Sequence, residues 1–157
     1  MVQTNENFLR TVEWKNNKVI MIDQTKLPNQ LIMVEFDDFN QVANAIKTLV
    51  VRGAPAIGVS SAFGLALAVL QSNANTKDKL LSDLEKAQQI LFATRPTAVN
   101  LGWGLQKIMN VAKTGNSIDD IKELVISEAK KWLMKILKLT KPWEKMDLCY
   151  LKTMIQS

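Results

Sequence analysis

Apolar and polar residues alternate over the first part of the chain and recur at helical spacing over most of the rest. Thr11 to Trp14 and Val19 to Ile22 are β-rich runs joined through Asn16-Asn17, a residue pair suited to a two-residue hairpin turn. A third run, Leu31 to Phe36, follows Leu27-Pro28-Asn29, and together the three predict a small antiparallel sheet. Asp37 or Asp38 then caps a helix in which Phe39, Val42, Ala43, Ile46, Leu49 and Val50 share one face. Arg52-Gly53-Ala54-Pro55 breaks it, and Pro55 suits the first turn of the next helix, where a missing N–H costs nothing. Ala56 to Leu70 is apolar all round, which predicts a central helix surrounded by others. Thr76 caps a more polar helix running to about Thr94. Pro96-Thr97 opens another, with Val99, Leu101, Trp103, Leu105, Ile108 and Val111 as its apolar content. Gly115-Asn116-Ser117 ends that helix. Ser117 and Asp120, placed like a capping box, start a last one to about Lys131. The expected fold is α+β: a small N-terminal sheet followed by a bundle of about five helices.

Composition narrows the chemistry. A chain of 157 residues suits one domain with a real core. It contains no His, which removes the commonest general base and metal ligand. Its one Cys, Cys149, excludes an internal disulfide and any multi-thiolate metal site, and neither metal nor cofactor is expected. The opening MVQTNENFLRTVEW lacks an apolar run of signal-peptide length, and Gly58, Ser60, Ser61 and Gly64 interrupt the apolar stretch from Ala54 to Leu70. A cytoplasmic protein without a membrane partner is the expectation. The net charge of +5 is mostly a property of the last 26 residues, where five Lys face Glu144 and Asp147. No basic cluster with interleaved aromatics emerges, so nucleic acid is not an expected partner.

Two loops carry candidate chemistry. Arg52-Gly53-Ala54-Pro55-Ala56-Ile57-Gly58 sets a guanidinium and small residues directly before a helix start, where unpaired N–H groups and the dipole favour an anion. Arg95-Pro96-Thr97-Ala98-Val99-Asn100 repeats that grammar, and the two could converge on one phosphorylated ligand. A simpler reading stands beside it: Gly53 and Pro55 merely turn the chain while Arg52 caps the helix before them.

The strings RTVEW, IDQTKLP, VVRGAPAIGVSSAFGLALA and ATRPTAVNLGWGL closely resemble the N-terminal half of the methylthioribose-1-phosphate isomerase family. In order and correctly spaced, they cover nearly everything from Leu9 to Lys131. RGAPAIG with RPTAVNL is shared more widely, by ribose-1,5-bisphosphate isomerases and the regulatory subunits of translation initiation factor 2B. The resemblance implies an interconversion of an aldose 1-phosphate and a ketose 1-phosphate in methionine salvage. By motif it assigns substrate contacts to Arg52, Gly53, Ala54 and Arg95. It also implies a larger Rossmann-like domain bearing a catalytic Asp and a catalytic Cys in a T-x-C-N-x-G motif. Neither has a counterpart here. Cys149 lies in Asp147-Leu148-Cys149-Tyr150 and is expected to be an incidental thiol. No residue of this chain is therefore expected to be catalytic, and the chain alone is expected to be inactive, with weak sugar-phosphate binding and a homodimer left open. The alternatives are a non-catalytic regulatory or scaffold subunit like those of initiation factor 2B, and a fragment of a ribose-1,5-bisphosphate isomerase.

The resemblance stops after Lys131, which divides the chain into a domain at 1–131 and a divergent tail at 132–157. Trp132 and Met134 have single codons ending in G. Read one base earlier, Trp132 with the following Leu gives Ala or Val, and Met134 with Lys gives Glu, as in the acidic run of the family. The same shift forces Gly at Trp143 and Met146 and Asp at Met154. The expectation is a one-base frameshift near Lys130–Trp132, leaving an out-of-frame tail. Its alternative is a genuine short protein with a basic C-terminal helix.

Overall fold

The structure, a computed structural model, describes the backbone of residues 10–155 and the side chains through Leu139. The expectation for the Cys149 thiol lies outside the described side chains. A three-stranded antiparallel sheet in the order β1-β2-β3 precedes five helices. Strands β1 (Val12–Lys15) and β2 (Lys18–Ile22) close over Asn16 and Asn17, both at positive φ (52° and 57°), the backbone a tight hairpin of this twist requires. Strand β3 (Met33–Phe36) pairs with β2 in a register that sets Val19 opposite Phe36 and Met21 opposite Val34. Val12, Trp14, Val19, Met21, Val34 and Phe36 thereby share one face, because side chains alternate along a strand. That face meets the helices, with the Trp14 ring 5.3 Å from that of Phe63.

Helix α1 (Phe39–Lys47) starts from a full capping box between Asp38 and Gln41. It ends earlier than the apolar spacing predicts, at Lys47 rather than Val50. The Leu49 N–H donates to the Ile46 carbonyl and the Val50 N–H to the Ala45 carbonyl, while Leu49 itself sits at φ 64°. This is a Schellman ending with Leu where Gly is usual, so its sequence signal is missing.

Helix α2 (Ala54–Gln71) is the axis of the domain. Every residue from Ile57 to Val69 is buried, and α1, α3, α4, α5 and the sheet pack around it. It is long and apolar enough to cross a membrane, yet 72% of that window is buried by the rest of the molecule. Helix α3 (Lys77–Thr94) is capped by Thr76 as expected. Helix α4 (Val99–Thr114) begins three residues later than Pro96. The Ala98 N–H donates to the Arg95 carbonyl, so Pro96 occupies the second position of a β-turn instead of the first turn of the helix.

Helix α5 (Ile118–Ile155) starts at Ser117, whose hydroxyl accepts from the Asp120 N–H. It does not stop at about Lys131. The buried seam of Ile121, Val125 and Ala129 continues one turn further to Leu133, with Trp132, Ile136 and Leu137 packed against the same core. Lys107 of α4 adds an ion pair with Glu128 at 2.9 Å and lies 5.4 Å from the Trp132 ring centre. The first turns beyond Lys131 therefore cover part of the apolar surface that α4 and α5 would otherwise leave open.

Candidate anion-binding cleft

Helices α2 and α4 approach so closely that their backbones nearly touch. A Cβ built on Gly104 would lie 2.5 Å from the Gly58 carbonyl oxygen, and one on Gly58 would lie 3.0 Å from that of Asn100. The buried Ser61 hydroxyl sits in this crossing, 2.8 Å from the Gly58 carbonyl oxygen and 3.3 Å from that of Leu101. Small residues are thus what let the two helices start side by side.

Between these starts lies a cleft of about 380 Å³, lined by Gly53, Ala54 and Ile57 from α2, Arg95, and Ala98, Val99 and Asn100 from α4. Helices α1, α3 and α5 each begin with a side chain accepting a backbone N–H, from Asp38, Thr76 and Ser117. Helices α2 and α4 begin at Gly53 and Ala98 with no side-chain cap at all. The two helices that face the cleft are thus the two that leave their first N–H groups open to a ligand, with two positive dipole ends beside a guanidinium. Such a cradle suits a phosphate or carboxylate. Among the described residues no carboxylate forms an ion pair with Arg52 or Arg95.

Of the residues assigned from the sequence, Gly53, Ala54 and Arg95 line the cleft together. The Arg52 side chain does not line it. Its Nη2 donates to the Gln24 carbonyl at 3.0 Å, and its backbone N–H donates to Gln24 Oε1. Arg52 therefore does not cap α1. Ile57, Ala98, Val99, Asn100 and Gln24 were not singled out from the sequence. The first four lie inside the RGAPAIG and RPTAVN strings, whereas nothing but the IDQTKLP string marks Gln24. Gln24 belongs to a turn pinned by Asp23, whose carboxylate accepts from the Thr25 hydroxyl and N–H. Those bonds hold the Asp23 carboxyl below its ordinary range.

Gly53 shapes the entry to α2 with φ 93° and ψ 131°, a conformation side chains disfavour, although a Cβ there would meet open space. Gly53→Ala is expected to cost about 1–3 kcal/mol through backbone strain alone, read as a lower denaturation midpoint at an unchanged slope. A second concave surface runs along α5 between Ser127, Lys130, Lys131, Met134, Lys135 and Lys138. It is a solvated basic face made by one helix, with no aromatic among its lining residues.

The sequence profile of the initiation factor 2 subunit family matches residues 50–148, both cleft loops included. The chain belongs to the initiation factor 2 subunit family. Within the family it is 44% identical over 122 residues to a methylthioribose-1-phosphate isomerase of Geobacter metallireducens, a match covering 76% of this chain and 35% of the relative. A putative methylthioribose-1-phosphate isomerase of Pyrococcus horikoshii is 48% identical over 124 residues, 78% of this chain and 34% of the relative. The crystal structure of 5-methylthioribose 1-phosphate isomerase from Pyrococcus horikoshii superposes with a TM-score of 0.77 at 46% identity, over 80% of this chain and 36% of that one. Subunit delta of translation initiation factor eIF-2B from A. fulgidus gives the same TM-score at 42% identity, over 81% of this chain and 37% of that one. This initiation factor 2 subunit family chain spans about a third of the length of the relatives it matches.

Proposed function

We propose that this chain is the phosphate-gripping helical part of an aldose–ketose isomerase that converts 5-methylthioribose 1-phosphate to 5-methylthioribulose 1-phosphate in methionine salvage. The observation that carries the reading is the pair of uncapped helix starts facing Arg95 across one cleft. The ligand phosphate accepts hydrogen bonds from the open N–H groups of α2 and α4, and the Arg95 fork neutralises its charge. Asn100 lines the same cleft, and its amide group can orient the sugar. Val99 and Trp103, 61% and 66% exposed beside the cleft, form an apolar shoulder of the kind that a further domain covers. The chemistry of proton transfer belongs to the catalytic Cys and Asp implied by the resemblance, which this chain lacks. It binds but does not turn over.

Titrating the isotope-labelled chain with inorganic phosphate and with 5-methylthioribose 1-phosphate tests this. The amide signals of Gly53, Ala54, Val99 and Asn100 are expected to move and saturate, at lower concentration for the sugar phosphate, with no ketose formed. Movement confined to Lys130, Lys131, Lys135 and Lys138 would instead mean ordinary anion attraction to a basic face and would end the proposal. A second reading, a non-catalytic subunit of the initiation factor type, draws on the match to the A. fulgidus eIF-2B subunit at the same TM-score. It predicts a silent cleft in the same titration.

A further inference from the structure

We infer that Gln24 is a positioning residue for Arg52, fixing the guanidinium and the loop that carries it beside the mouth of the cleft. The inference rests on the anion-site reading above and adds to it a residue outside both cleft loops.

Arg52 lies in a connection with little regular structure of its own, between the Schellman ending of α1 and Gly53 at φ 93°. A long exposed side chain there would ordinarily sample many rotamers, and ordering it costs on the order of 2 kcal/mol on the side-chain entropy scale. One hydrogen bond to Gln24 restrains that side chain, and two more hold the backbone beneath it. The Gln24 N–H donates to the Val50 carbonyl at 2.9 Å, Gln24 Oε1 accepts the Arg52 N–H, and the Gln24 carbonyl accepts from Arg52 Nη2 at 3.0 Å. Val51, fully buried between these contacts, anchors the same stretch from below.

Gln24 is itself held. The Asp23 N–H donates to the Ile32 carbonyl and the Lys26 N–H to the Asp23 carbonyl, and the Asp23 carboxylate takes both donors of Thr25. The loop that leaves β2 is therefore a rigid bracket, and the bracket grips the arginine loop. Guanidinium has five N–H donors, of which Gln24 engages one, so the others stay available to an oxyanion. An arginine whose orientation is set in advance loses less entropy when the ligand arrives, which appears as affinity.

The test is a double-substitution cycle read by amide-shift titration with inorganic phosphate, using the full chain, Gln24→Met, Arg52→Ala and the pair. Met keeps the length of Gln and removes the accepting oxygen. Gln24→Met is expected to weaken phosphate binding about 3- to 10-fold, within the range of one hydrogen bond. In the Arg52→Ala background the same change is expected to cost less, because the part of its effect carried by the guanidinium is gone while the Arg52 N–H that Gln24 Oε1 accepts remains. Equal losses in both backgrounds, or no loss, would overturn the inference. Should Gln24→Met fold poorly, amide hydrogen exchange on the unaltered chain decides: the Arg52 N–H is expected to be protected, and exchange at the unprotected rate would overturn it. If phosphate leaves the cleft amides unmoved in the unaltered chain, the anion-site reading falls and takes this inference with it. If phosphate binds and Arg52→Ala weakens it while Gln24→Met does not, only the inference falls.

Discussion

Arg95→Ala is expected to weaken phosphate binding to the cleft by about 10- to 100-fold while leaving the fold intact. Hydrogen bonds to charged groups contribute about 1.5–3 kcal/mol each, and each 1.4 kcal/mol is a factor of about ten in affinity. Arg95 forms no ion pair among the described residues, so its guanidinium is available to a ligand. Its backbone carbonyl, which accepts the Ala98 N–H and shapes the turn, is retained in the variant. The melting temperature should accordingly stay within a degree or two of the parent, as for most surface substitutions. Two companions sharpen the result. Arg95→Lys keeps the charge and loses the planar fork, so it should recover only part of the affinity. Arg10→Ala removes an equal charge whose partner is the exposed Glu13 and should change the affinity less than about twofold. An equal loss from Arg10 and Arg95 would reduce the site to net charge. Unchanged affinity on removing Arg95 would sink it.

Legibility in the sequence divides along physical lines. Features fixed by local chemistry were readable. Asn16-Asn17 tolerates positive φ, Asp38 and Thr76 cap, and the apolar and small residues from Ala56 to Leu70 mark a central helix. Features decided by tertiary packing were not. Leu49 enters the left-handed region at a cost of roughly 1–2 kcal/mol, offset where the loop is tied to Gln24 and Val51 is buried, and no residue type announces that. Pro96 fits a helix start and a β-turn equally well in sequence. The Ala98 to Arg95 hydrogen bond selects the turn. Helix α5 outran its expected end because the apolar spacing that carried Val125 and Ala129 recurs at Leu133 and Leu137.

The cleft divides in the same way. Gly53, Ala54 and Arg95 stand in distinctive strings and line one cleft, although physics alone leaves their loops ambiguous. The missing caps became informative only when both helix starts were seen to face one space. Arg52 shows the converse. Its place in the RGAP string suggests direct contact, and nothing in that string announces that one of its guanidinium donors is held by Gln24, 28 residues earlier in the chain. A bond at that separation has no local signature.

The strongest test of the α2–α4 crossing uses two glycines in one helix with opposite expected signs. A methyl at Gly104 would lie 2.5 Å from both the Gly58 carbonyl oxygen and the Ser61 hydroxyl, and backbone cannot yield as a flexible side chain can. Overpacking of this kind costs about 1–3 kcal/mol and sometimes more. Ala recovers up to about 1 kcal/mol in helix propensity. Gly104→Ala is therefore expected to destabilise by about 2 kcal/mol net, a fall of roughly 4–8 °C in melting temperature for a chain of this size. It should also splay the two helix starts and weaken phosphate binding in parallel. A methyl at Gly102 would meet only Phe92 Cε2 at 3.5 Å, an ordinary contact. With propensity unopposed, Gly102→Ala is expected to stabilise by about 0.5–1 kcal/mol. Thermal denaturation of the two variants, two residues apart and chemically identical, separates packing from propensity. The same sign for both would mean that the helices do not cross at Gly58 and Gly104, and the cleft built on that crossing would lose its frame.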